Sequence, residues 1–287
     1  MLTATDLHIR EAGPGDAEAC GRIFYDAFAA IAQRHAFPVE PESPEFTAFH
    51  ADLMLSLDGI VGVVAERDGT VVGSAFADLR GSIAGIGPVS VDRAYQDAGT
   101  GRRLMEALLE LTRGAAGVRL VQTAYHARSL ALYAKLGFAV REPLSVVQGA
   151  PLQRSIPGLA VRPARPDDVP ACDALCRRVH GHDRSGELHG AIAAGTARVV
   201  ERPDRISGYA TGFGYGWHAV AEGNDDLVAL IASAEAFVGL GILVPSRNAP
   251  LLAWCLDNGL RLVQQSTLMT VGLYNEPQGG WLPSIVY

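Results

Sequence analysis

The chain has 287 residues, of which 48% are hydrophobic and 19% charged, a soluble globular composition with length for one large domain or two ordinary ones. A formal charge of −7 excludes the broad basic face that nucleic acid requires. No apolar run reaches the ~18 residues of a membrane helix, and Met1–Gly13 has no secretory pattern, so a cytoplasmic protein that binds neither nucleic acid nor membrane is expected.

In chain order, Ile9–Cys20 reads as a short strand, a turn and the start of an amphipathic helix, with Cys20, Phe24, Ala27 and Phe28 as its apolar stripe. The stretch Arg34–Leu57 follows and carries Glu40, Glu42 and Glu45. Within it Ser43-Pro44-Glu45 has the chemistry of a helix start, Ser as N-cap and Pro in the first turn. Glu66–Ala75 reads as a hairpin turning at Asp68-Gly69. Ile86–Val91 reads as a buried strand, and Gly101–Ala115 as a helix with Leu104, Leu108 and Leu111 on one face.

The chain then repeats itself. Ile9–Cys20 and Val161–Cys172 share six of twelve residues at a spacing of 152. The hairpin recurs as Glu201-Arg202, Gly208 and Ala210 at a spacing of 135. His126–Phe138 recurs as Asn248–Leu260 at a spacing of 122. Three matches in one order imply two copies of one fold, residues 1–150 and 158–287, joined near Pro151–Gly158. The shorter second copy has lost 17 residues before its hairpin (152 against 135) and 13 after it (135 against 122).

The chemistry concentrates between Val91 and the next helix, in Gln96-Asp97-Ala98-Gly99-Thr100-Gly101. Two glycines let the backbone approach a ligand, and a helix N-terminus favours an anion, so a pyrophosphate is the natural occupant, with Arg102 and Arg103 beside it. The second copy has Trp217–Asp226 at that place, with three acidic residues and no paired glycines, and is expected not to bind phosphate. Cys20, Cys172, Cys176 and Cys255 form no CxxC pair and read as buried thiols. His180-Gly181-His182, with His189 further on, lacks a carboxylate or cysteine partner, and no metal is assigned.

Val89-x-Val91-x4-Gln96-x2-Gly99-x-Gly101, followed by a helix and then by Ser129-Leu130-Ala131-Leu132-Tyr133-Ala134-Lys135-Leu136-Gly137-Phe138, resembles the GNAT superfamily of acyl-CoA-dependent N-acyltransferases. The resemblance covers residues 8–150, with the second half as a degenerate repeat, similar to tandem GNAT proteins. It implies an α/β fold with mixed sheets in two tandem copies, and acetyl-CoA as co-substrate. It further implies that Val89 and Val91 pair with the pantetheine arm and that Gln96, Asp97, Ala98, Gly99, Thr100, Gly101 and Arg102 hold the pyrophosphate. Ser129 and Tyr133 lie in the family's tyrosine segment at the cofactor, and Tyr133 would protonate the departing thiolate.

At His126 many family members have asparagine; the histidine could contact the pantetheine, act as a base, or hold a local structural hydrogen bond. The family's strand glutamate has no counterpart in Ile86–Val91, which leaves Asp78, His35 and His126 as candidate bases. The expected activity is direct transfer of an acetyl group to a primary amine of a small molecule or peptide. The alternative is a CoA-binding sensor or scaffold without turnover. The second copy would wall the acceptor pocket or supply a homodimer surface.

Overall fold

The computed structural model describes residues 7–286, and its contacts divide the chain into two compact units. The first holds the residues up to Leu120 together with Tyr125–Phe138; the second holds Val121–Ala124 and Ala139–Ile285.

The first unit runs β1 (Leu7–Glu11), α1 (Ala17–Arg34), α2 (Pro44–Ser56), β2 (Ile60–Arg67), β3 (Thr70–Asp78), β4 (Ile83–Val91), α3 (Thr100–Leu111), β5 (Gly117–Thr123, whose end belongs to the second unit) and α4 (Ala127–Lys135). Its strands lie in the order β1-β2-β3-β4-β5, antiparallel except for the parallel pair β4/β5. Cys20 on α1 and Ala51 and Met54 on α2 bury against Val64 and Phe76 of the sheet. The helix start expected at Ser43 is present: its hydroxyl accepts from the Phe46 N–H at 3.1 Å. The hairpin turns on Asp68 and Gly69, with φ of 49° and 74°, as a two-residue turn between right-twisted strands requires. Helix α3 stops four residues short of the expected Ala115, because Thr112 caps it and turns its hydroxyl back onto the Leu109 carbonyl.

The second unit runs β6 (Ala139–Gln148), β7 (Ala160–Pro163), α5 (Val169–His180), α6 (Ser185–Ala193), β8 (Arg198–Arg202), β9 (Arg205–Ala210), β10 (Ala219–Ala221), α7 (Asn224–Ser233), β11 (Ile242–Pro245), α8 (Ala249–Asp257), β12 (Arg261–Gly272) and β13 (Gly280–Leu282). Five strands form a sheet in the order β13-β10-β9-β8-β7. Strand β6 lies between β11 and β12, antiparallel to both, and its Val147 joins the core made by Leu230, Ile231, Val244 and Leu251. The compact unit therefore ends at Phe138 whereas the repeat ends near residue 150. Strand β6, which follows Phe138, pairs with β11 and β12 and buries Leu144, Val146 and Val147.

The repeat is visible atom by atom. Arg10 donates to both carboxylate oxygens of Asp16 (2.8 Å each) and to Glu66 (2.8 Å), while the Gly13 N–H donates to Asp16. In the second copy Arg162 donates to both oxygens of Asp168 (2.7 and 2.8 Å) and to Glu201, while the Arg165 N–H donates to Asp168. The copies differ where the glycine loop stands. Helix α7 opens with Asp225 and Asp226, and the buried Asp226 carboxylate pairs with Arg202 at 3.0 Å and accepts from Ser207 at 2.7 Å. Two carboxylates in the first turn disfavour a further anion at that helix start.

All four cysteines are buried free thiols. Among the described residues, no helix is long and apolar enough to cross a membrane.

Candidate active site

Strand β4 opens the site. Its ladder with β3 pairs Val89 with Ala75 and Ile86 with Ala77, so Gly87 and Pro88 together oppose Phe76, and this extra residue is a bulge. Pairing with β5 runs from Ile83↔Gly117 to Ile86↔Leu120 and ends there, while β4 continues to Val91. Among the described residues, the β5-facing edge of Gly87–Val91 has no strand ladder. Ser90 points the other way, buried, with its hydroxyl 3.1 Å from that of Ser74. Val89 and Val91 consequently face the opposite side to Ser90, half-buried.

The loop after β4 is built by its own polar side chains. Gln96 Nε2 donates to the Val91 carbonyl at 2.9 Å, and the Thr100 hydroxyl to the Tyr95 carbonyl at 3.0 Å. Both side chains are thus spent on shaping the turn, and what they present outward is backbone. Asp97 and Gly99 take φ of 65° and 82°, and Gly99 caps α3 without a side-chain hydrogen bond. The first intrahelical bond is Arg103 N–H to Gly99 O (3.1 Å), so the amides of Thr100, Gly101 and Arg102 have no partner inside the helix. Gly101 is informative. A Cβ built on it would meet only Val91 Cγ2 at 3.6 Å and Leu132 Cδ2 at 3.7 Å, ordinary contacts. Packing does not demand glycine there, although in a helix glycine costs about 0.5–1 kcal/mol against alanine. A ligand that must reach the amides does demand it. Arg102 is exposed and pairs with Glu106 at 2.8 Å.

Helix α4 closes against this loop. Leu132 faces Gly101, and Arg128 pairs with Asp97 at 2.5 Å. His126 is the N-cap of α4, and its carbonyl accepts from both the N–H and the hydroxyl of Ser129. Its imidazole is held toward the neutral form first by burial and then by the electrostatic influence of Arg128, His35 and Arg34. Tyr133 is buried with its ring edge-on to Phe138, and burial alone pushes its phenol up to about 12. The proton therefore stays on Tyr133 at any physiological pH. Tyr133 lies two turns after His126 on the same helix.

The stretch between α1 and α2 comes to the same end of α4. Phe37 stacks on Tyr125, rings 4.2 Å apart and 8° from parallel, and His35 lies 5.3 Å from Tyr125. Glu40 follows, half-buried, and burial pushes its carboxyl up to about 8, with Glu42 adding like charge. The Tyr125 phenol is raised by burial and, less, by the charge of Glu40. Asp78 stands elsewhere. It pairs with Gly85, four residues or roughly 13 Å along the strand from Val89, and both its oxygens accept from Arg80. Tyr125, Phe37 and the burial of Glu40 escaped the sequence reading because aromatic stacking and desolvation are tertiary. A glutamate on a loop carries no sign of either.

The site thus combines a free strand edge, a helix N-terminus with approachable amides, a protonated buried phenol and a carboxyl near neutrality. These donors fit a pantetheine arm and a pyrophosphate: the edge of Gly87–Val91 for the first, the amides of Thr100, Gly101 and Arg102 for the second.

Residues 25–138 match the model of the Acetyltransferase (GNAT) family. No curated protein sequence matches the chain. A provisionally assigned acetyltransferase from Pyrococcus horikoshii superposes with a TM-score of 0.72 at 21% identity, covering 98% of this chain and 93% of that one. A GCN5-related N-acetyltransferase from Sphaerobacter thermophilus gives 0.61 at 15% identity, over 96% and 98% of the two chains. A tandem GNAT protein from the clavulanic acid biosynthesis pathway gives 0.55 at 14% identity, over 93% and 98%. At such identities the likeness carries the fold, and it spans both copies. Residues 25–138 thus resemble the acetyltransferase (GNAT) family, and the chain as a whole has the mixed α/β fold seen in tandem GNAT proteins.

Proposed function

We propose that this chain transfers an acetyl group from acetyl-CoA to a primary amine of a small molecule or peptide by direct attack. The observation that carries the reading is Gly101, a helix glycine that the packing does not require, beside the free edge of β4 and against the helix that holds Tyr133. The bound thioester supplies an acyl carbon open to an amine and a thiol leaving group. The chain's residues do the rest. Val89, Val91 and the amides of Gln96–Arg102 position the cofactor, with His126 and Ser129 at the start of α4 alongside it. Tyr133 holds a proton for the sulfur and stabilises the charge that develops there. The second copy, with Asp226 at the corresponding helix start, binds no CoA. The test is calorimetry with acetyl-CoA followed by a thiol-release assay over an amine panel. One site per chain and amine-dependent thiol release are expected. Two sites would overturn the silent second copy, and binding without release for any amine would favour a CoA-sensing protein.

A further inference from the structure

Helix α2 is apolar on two sides. Thr47, Ala51 and Met54 are buried on one, where Ala51 and Met54 pack with Cys20, Val64 and Phe76. On the other side Phe46, Phe49 and Leu53, with Leu57 at the C-cap, recur at steps of three and four residues. These four stay in solvent, at 45%, 66%, 39% and 40% exposure. Exposed apolar residues scattered singly are ordinary. Here four of the ten exposed large apolar residues, among those described, form a single stripe. It runs for about 17 Å along the helix.

The rim of the stripe is acidic. Glu45 precedes Phe46 and Asp52 precedes Leu53, so both line the same edge, while Glu42 and Asp58 stand just beyond its two ends. All four carboxylates are exposed, and no lysine or arginine occurs between Arg34 and Arg67 to offset them. On the opposite edge His50 stacks on Phe46, ring centroids 5.9 Å apart. Burial lowers its imidazole pKa, so it adds no positive charge at neutral pH.

We infer that the outer face of α2 docks a basic amphipathic helix of a partner protein. The apolar side of that helix covers Phe46, Phe49, Leu53 and Leu57, and its lysines or arginines meet Glu45 and Asp52. Charge decides the occupant. The acidic rim repels an anionic lipid surface. A second copy would bring its own acidic rim, set edge to edge in an antiparallel pair of α2 helices. A basic helix matches both the stripe and the rim. This docking is independent of the acetyl transfer, since none of its residues belongs to β4, the glycine loop or α4.

The probe is a synthetic amphipathic helix of about 14 leucine and lysine residues, long enough to cover α2. It is titrated into the full chain beside a scrambled peptide of the same composition and a leucine–glutamate counterpart. The leucine–lysine helix should bind at least about tenfold more tightly than either control. Phe49→Ser with Leu53→Ser should lose that preference at an unchanged melting temperature, because both side chains lie in solvent. Glu45→Lys with Asp52→Lys should turn the preference toward the leucine–glutamate helix. Equal binding of the amphipathic and scrambled peptides overturns the docking face, as does binding that survives Phe49→Ser with Leu53→Ser. A wild-type dimer in sedimentation equilibrium, or adhesion to phosphatidylcholine vesicles, that this double variant abolishes would also overturn it, giving the face to a second copy or to lipid.

Discussion

Tyr125 lies flat on Phe37, ring centroids 4.2 Å apart, and this stack joins the segment between α1 and α2 to the end of α4 that carries His126. An aromatic pair of this geometry contributes about 0.5–1.5 kcal/mol beyond its buried area. Replacing Phe37 with alanine should therefore lower the melting temperature only modestly. Its main effect should be on the acceptor: KM for the amine rising roughly tenfold, the equivalent of 1.4 kcal/mol, with acetyl-CoA affinity unchanged because the loop after β4 is not touched. Parallel calorimetry and steady-state kinetics check this, and an equal loss of acetyl-CoA binding would mean that Phe37 supports the cofactor instead.

Tyr133→Phe removes one oxygen from a buried position and leaves the ring against Phe138. The expected outcome is a fall in kcat of about 100-fold with little change in acetyl-CoA affinity. Because burial raises the phenol to about 12, wild type should show no loss of rate from its ionisation below pH 11. Stability follows the same sign. The neutral phenol favours the folded state fully below the ordinary value of 10, and this contribution is lost as pH rises from 10 through about 12. The rate profile and alkaline denaturation curves of the two proteins, taken together, check both halves.

Gly101→Ala separates folding from binding. The new methyl group has ordinary contacts with Val91 and Leu132, and alanine suits a helix better, so stability should hold or rise by about 0.5–1 kcal/mol. Acetyl-CoA affinity should fall at least tenfold, since the methyl stands where the amides of α3 are approached. Gly99→Ala behaves differently: its Cβ meets nothing within 4 Å, but φ of 82° strains any L side chain, so this variant should lose stability as well. Thermal melts and calorimetry on both variants make the comparison.

Much of the fold was legible because the chain spells it twice. The pairs Arg10/Arg162 and Asp16/Asp168 stand at a constant spacing, and the structure shows them making the same bonds. The turn into α3 was legible because a glycine such as Gly99, with φ of 82°, marks a helix start that most side chains cannot occupy. The placement of β6 was not, since which sheet accepts a strand depends on partners far along the chain, here β11 and β12. Nor was the character of Glu40. A sequence gives the carboxylate but not its loss of water, and Gln96 and Thr100 show the converse, polar residues whose side chains serve the loop itself.

The duplicated Arg–Asp pair gives a last prediction, about acid stability. The Asp16 carboxyl is lowered chiefly by the hydrogen bonds from Arg10 and then by the Gly13 amide, outweighing a burial effect that acts the other way. Asp168 is lowered in the same manner by Arg162 and the Arg165 amide. A carboxyl that is more acidic when folded stabilises the fold above its ordinary value of 3.8 and loses that contribution as pH falls through the lower, folded value. Arg10 is partly exposed, so solvent screens its ion pair and the hydrogen bonds to the nearly buried Asp16 carry most of the effect. Asp16→Asn should cost about 2 kcal/mol at pH 7, and the gap between wild type and variant should close as pH drops below 4. Asp168→Asn should show the same cost and the same closing, because the bonds are the same. Urea denaturation of the three proteins at pH 7 and pH 3 measures it. A gap that persists unchanged at pH 3 would mean that Asp16 acts through shape and not through its charge.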